Sequence, residues 1–142
     1  MRLLGIDHGD ARIGLAISDE LGMLAHPLET LDGREKFNAL SRKIADVIAS
    51  KKIERVVLGL PRNMNGTYGP AAEKVRAFAD KLTEALPVPV LLWDERMTTQ
   101  QAQRSLHEAG RNVKNSRNLI DQVAAVIILQ SYLDSLVREP DF

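Results

Sequence analysis

The apolar residues of this 142-residue chain first switch from strand to helical spacing near residue 32, and that switch constrains the fold more than any other feature. Before it, three short runs carry a strand pattern: Arg2 to Asp7, Arg12 to Ser18 and Leu24 to Leu31. The turns between them, His8-Gly9-Asp10-Ala11 and Asp19-Glu20-Leu21-Gly22, are short enough to predict an antiparallel meander. After it, Phe37, Leu40, Ile44, Val47 and Ile48 fall on one helical face. Asp32 with Glu35 reads as the capping box of that helix, Asp standing for Ser or Thr. Arg55 to Leu60 is then an apolar strand of the buried parallel kind, ended by Pro61.

The same alternation of elements continues. Ala72, Val75, Phe78, Ala79, Leu82 and Leu86 make a second helical stripe, which Pro87 and Pro89 break. Val88 to Trp93 reads as a fifth strand. Thr98 and Gln101 cap a third helix that stops at Gly110, and a final helix runs from about Asn118 to Leu136. The pattern predicts one α/β domain over residues 1–142: a mixed five-stranded sheet, antiparallel in its first three strands and parallel in its last two, with helices on both faces.

In such an open sheet the ligand crevice lies beyond the carboxyl ends of the strands. Asp7 stands at the end of the first strand, and Asp94 and Glu95 at the end of the fifth. Alternation sends Asp94 and Glu95 to opposite faces, so only one can face Asp7, and the pattern leaves open which. Asp121 shares a helical face with Ala124, Ala125 and Ile128, where an acid is costly unless paired or metal-bound. Each acid also has a plain structural reading. Asp7 can cap a turn, Asp94-Glu95 can be a solvated strand end, and Asp121 can be an N3 acid favoured by the helix dipole if Asn118 is the N-cap. Together, three carboxylates around one crevice are oxygen donors for Mg2+ or Mn2+, which would offset their mutual repulsion. That arrangement suits two-metal phosphodiester cleavage.

Net charge is zero, from 19 basic and 19 acidic residues, so nucleic-acid contact must come from local basic groups. Arg111, Lys114 and Arg117 precede the Asp121 helix in a stretch without acids, placed to touch phosphate or simply to be solvated. Arg12 and Arg62 lie beside other strand ends, and Arg96 follows the acidic pair, which it can also neutralise. The Asn63–Gly69 loop is rich in turn formers but lacks P-loop lysine spacing. His8, His26 and His107 are scattered, with His8 alone near the acids, and Trp93 reads as core. The absence of cysteine excludes disulfides and thiolate metal sites. No apolar run is long enough for a membrane span, and Asp7 comes too early for a signal peptide, so a cytoplasmic location is expected.

The chain resembles the YqgF (RuvX-like) family through four short motifs in order. They are Asp7-His8-Gly9-Asp10-Ala11-Arg12-Ile13-Gly14, Gly59-Leu60-Pro61-Arg62-Asn63-Met64-Asn65-Gly66-Thr67, Asp94-Glu95-Arg96-Met97-Thr98-Thr99 and Ile120-Asp121-Gln122-Val123-Ala124-Ala125. The resemblance implies an RNase H-like fold related to RuvC-type Holliday junction resolvases. It implies a cytoplasmic nuclease that processes the 5′ end of the 16S ribosomal RNA precursor, in a family whose members were earlier proposed as junction resolvases. By motif position it gives the catalytic and metal-holding roles to Asp7, Glu95 and Asp121, and so selects Glu95 over Asp94. RuvC-type sites carry a second acid three residues further along the last helix, where this chain has Ala124. Substrate phosphate oxygens are then expected to complete the coordination.

The expected activity is therefore Mg2+- or Mn2+-dependent endonucleolytic cleavage of RNA, or of DNA junctions. Asp7 would bridge the metals, Glu95 and Asp121 would each hold one side, and Arg12, Lys114 and Arg117 would position the backbone. Two other readings are a nucleic-acid-binding factor with little turnover and a phosphotransfer fragment of the actin-like class. The last needs a second nucleotide-binding domain, for which 142 residues leave no room.

Overall fold

A computed structural model describes residues 1–63, 65–95 and 117–137, the last segment with side chains from Asp121 onward. Strands β1 (Arg2–His8), β2 (Arg12–Ser18) and β3 (Ala25–Asp32) form the antiparallel meander. Helix α1 (Phe37–Lys51) crosses to β4 (Ile53–Leu60), and α2 (Pro70–Ala85) crosses to β5 (Val90–Asp94). Helix α3 covers Arg117–Val137. The sheet order is β3-β2-β1-β4-β5, with β4 parallel to both β1 and β5. The mixed sheet expected from the sequence is present. The predicted third helix, from Thr98 to Gly110, lies outside the described residues.

Alternation along the strands builds two cores. Leu4, Ile6, Ile13, Leu15, Val56 and Leu58 pack with Leu40, Ile44, Ile48, Val75, Phe78 and Leu82 of α1 and α2. On the other face, Leu3, Ala16 and Val57 pack with Ala125, Ile128, Leu129, Tyr132 and Leu133 of α3. Trp93 belongs to this second core: its indole N–H donates to Ser131 Oγ at 3.0 Å, and its ring meets Tyr132 edge-on at 5.3 Å.

The α3 face is flat because three strands present glycine to it. A side chain at Gly5 would start 2.7 Å from Leu129 Cβ, and one at Gly59 would start 2.5 Å from Ile128 Cδ1. At Gly14 it would run into the main-chain carbonyl of Asp121. Gly14 pairs with Asp7 across β1 and β2, so the helix is admitted directly over the first candidate acid.

Two local expectations are corrected. Asp32 does not cap α1. It ends β3, and its Oδ1 accepts from the Arg34 backbone N–H at 2.9 Å, the short-range bond by which Asp shapes turns. The N-cap of α1 is Lys36, without a side-chain cap. Asn118 is not an N-cap either, because α3 is already helical at Arg117. Asp121 therefore sits beyond the first turn of α3, where the helix-dipole explanation for an acid is weak.

Gly14→Ala should lower the unfolding free energy by about 1–3 kcal/mol, the cost of overpacking a close contact, measured by urea titration. An unchanged midpoint would mean that α3 does not rest on the sheet there.

Candidate nuclease site

Three elements bring the acids together. Asp7 is on the α3 side of β1, in step with Leu3 and Gly5. Gly59 pairs with Trp93 across β4 and β5, and Trp93 packs on the α3 side, so Glu95 two residues on returns to that side. Glu95 Oε1 lies 3.1 Å from where a Gly59 side chain would begin. Asp121 comes down from α3 over Gly14. Asp94 faces the other way. It accepts from the Tyr68 hydroxyl at 2.5 Å and from Arg62 at 3.4 Å. Geometry thus separates the acidic pair and puts Glu95 beside Asp7.

The charges agree with that proximity. The Asp7 carboxyl is pushed up to about 7, first by burial, then by the negative charge of Glu95 and of Asp121. The Glu95 carboxyl is also raised, by burial and then by Asp94. Asp121 is held differently: Arg12 Nε donates to its Oδ2 at 2.8 Å, in a pair about one-third exposed on the Arg12 side and one-fifth on the Asp121 side.

Among the described residues, no three His, Cys, Asp or Glu side chains are drawn tightly enough together to enclose a metal ion. The donor set nevertheless suits a hard divalent cation. It is all carboxylate oxygen, and the raised Asp7 carboxyl marks negative charge that the protein itself does not neutralise.

Other candidate residues are placed variously. Arg62 turns to Asp94, not to Asp7, Glu95 or Asp121. Its guanidinium donates to Asp94 and to the Gly66 carbonyl and lies 4.7 Å from the Tyr68 ring centroid, which Arg76 also approaches to 4.7 Å. Tyr68, not singled out in the sequence, is thus the centre of a clasp on the loop before α2. His8 is on the face opposite Asp7, its ring 4.6 Å from that of Phe78, and burial lowers its pKa against the opposing effect of Asp10. Arg117 opens α3, but its side chain, like the whole of Arg96, Arg111 and Lys114, lies outside the described residues.

This strand order, with one helix laid across the far face and acids at its near end, defines an RNase H-like domain. The solved structures agree on the fold. Thermus thermophilus RuvC in complex with a Holliday junction substrate aligns with a TM-score of 0.61 at 16% identity, covering 97% of this chain and 96% of that one. The same protein in a second structure gives 0.61 at 15% identity, covering 96% of each. The chain belongs to the RuvX family, whose model, described as "RuvX: Holliday junction resolvase", matches residues 1–135. A Pelotomaculum thermopropionicum protein named "Putative pre-16S rRNA nuclease" is 47% identical over 138 residues, 97% of this chain and 90% of its own length. A Caldanaerobacter subterraneus subsp. tengcongensis protein of the same name is 48% identical over 136 residues, 95% of this chain and 97% of its own.

The sign of the pH dependence is set by Asp7. Its folded pKa, about 7, lies above the ordinary 3.8, so its contribution to stability is full below pH 4 and is lost as pH rises through 7. Without divalent cation, Asp7→Asn should melt several degrees above the wild type at pH 8, with the gap closing toward pH 5. The loss at stake is roughly 2–4 kcal/mol. Melting curves in chelator at both pH values test this; equal midpoints at pH 8 would mean that Asp7 is neither buried nor crowded as the structure has it.

Proposed function

We propose that the protein is a divalent-cation-dependent endonuclease that cleaves phosphodiester bonds in the precursor of 16S ribosomal RNA. The observation that carries this reading is the buried Asp7 carboxyl, at a strand end in the negative field of Glu95 and Asp121. The substrate is inferred from the names of relatives that match over nearly the whole chain. The location that goes with it is the cytoplasm; no helix among the described residues is long and apolar enough to cross a membrane.

The cation would be held by Asp7, Glu95 and Asp121. Mg2+ or Mn2+ in such a site activates water and stabilises the departing oxygen, by a two-metal route in enzymes of this chemistry. The protein's own share is positional. Gly14 leaves room for the backbone that carries Asp121, and Gly59 for Ile128 and the Glu95 carboxylate. Ion binding would return the raised Asp7 carboxyl to its charged form. Arg12, together with Lys114 and Arg117, would contact the phosphate backbone, with Arg96 and Arg111 as further basic candidates. Arg62 would act through the shape of its loop rather than by touching the strand.

A second reading is cleavage of four-way DNA junctions, favoured by the description of the family model. One experiment separates the two: precursor RNA and a four-way junction are offered with Mn2+, with Mg2+ and with chelator. Cation-dependent cutting of the RNA is expected, with the junction cut poorly. Asp7→Asn should reduce cutting by at least about 100-fold, as loss of a charge-stabilising group does. Full activity of that variant would end the assignment, and binding of RNA without any product would turn it into an RNA-binding factor.

A further inference from the structure

The pair between Arg12 and Asp121 is out of place in a site that has to take up a cation. Arg12 opens β2 and crosses to α3, where its Nε holds the Asp121 carboxylate at 2.8 Å. Asp121 has little freedom to swing away. Its backbone presses on Gly14, and the next residue, Gln122, donates to Thr30 Oγ1 at 3.1 Å. Arg12 is the movable partner. Only its Nε is bonded to a side chain among the described residues, and its other N–H groups are left over for a forked contact.

Beside this pair lies a cavity of about 350 Å³, lined by Ala11, Arg12, Thr30, Leu31, Asp32 and Arg34. Its charges balance. Arg34 is paired with Asp32 at 3.1 Å, and Arg12 with Asp121. A phosphate entering alone would leave one negative charge too many, and a divalent cation entering alone at Asp121 would meet the Arg12 guanidinium. If both enter, each offsets the other's charge.

We propose that Arg12 is an exchangeable plug: it occupies Asp121 in the free protein, and a phosphodiester of the substrate strand, received in the cavity beside Arg34, draws it off so that Asp121 can serve the cation. This rests on the proposed role of Asp121 as a cation ligand. Guanidinium suits the exchange, since it forks onto phosphate as readily as onto carboxylate. The consequence is coupling: nucleic acid tightens cation binding, and by reciprocity the cation tightens nucleic acid binding by the same factor.

The test measures Mn2+ binding to the full chain by the paramagnetic resonance of free Mn2+, with and without a saturating phosphorothioate RNA oligonucleotide. In the wild type the oligonucleotide should tighten Mn2+ binding by about fivefold or more. Arg12→Gln should bind Mn2+ more tightly than the wild type without RNA, and its RNA effect should fall below about twofold. Arg34→Gln removes a charge from the same cavity without touching Asp121, so without RNA it should keep the wild-type Mn2+ affinity. Coupling of wild-type size in Arg12→Gln would overturn the proposal, as would RNA-free Mn2+ binding tightened as much in Arg34→Gln as in Arg12→Gln, which would reduce the effect to general charge. Arg12→Lys, which keeps the charge without the fork, should stay close to the wild type without RNA and lose part of the coupling; full coupling would count against the plug. Mn2+ binding that needs Asp7 but ignores Arg12 defeats this inference alone. Failure of Mn2+ to bind any of these proteins, with RNA or without, defeats the nuclease reading and the plug together.

Discussion

Helix α3 can lie directly on the sheet only because β1, β2 and β4 each present a glycine to it. Gly5 receives Leu129, Gly59 receives Ile128, and Gly14 receives the backbone of Asp121 itself. A side chain at any of these places would lift the helix and pull Asp121 away from Asp7. Glycine in a strand interior is a cost, since it packs nothing and loses more freedom on folding. Here that cost is offset by the apolar contacts of Ala125, Ile128, Leu129 and Leu133, each buried against the sheet.

So close an approach crowds negative charge. An acid delivered by a helix meets acids delivered by β1 and by the residue after β5. Asp7, buried first and crowded second, holds its proton to about neutral pH, and Asp121 takes Arg12. These are two local remedies for one problem, and neither neutralises the whole cluster. A divalent cation would do so, at the mouth of the crevice where a phosphate backbone could also reach it.

Much of this was legible in the sequence, for reasons that differ from residue to residue. The change from strand to helical spacing set the element order, and β2 falls on Arg12–Ser18 as predicted. Asp7 and Asp121 stood out as acids at apolar element ends. Glycines at 5, 14 and 59 carried a readable signal too, since an isolated glycine in a strand marks close approach of something else. The facing of Asp94 and Glu95 was not legible from spacing, because it depends on the pairing of Gly59 with Trp93. Asp32 misled because the same side chain that caps helices also bonds the backbone two residues on, and here it does the latter. The capture of Arg62 by Asp94 and Tyr68 joins residues remote in order, and no local pattern announces it.

That last clasp has a reach beyond its own loop. Among the described strands β5 is an outer one, five residues long and paired only to β4, so its end has little to keep it from fraying. Tyr68 and Arg62 grip Asp94 from one side, and the very next residue shows Glu95 to the other. The sheet therefore works there as a lever with its fulcrum at a single peptide bond: a tyrosine ring on one surface steadies the aim of a carboxylate on the opposite one.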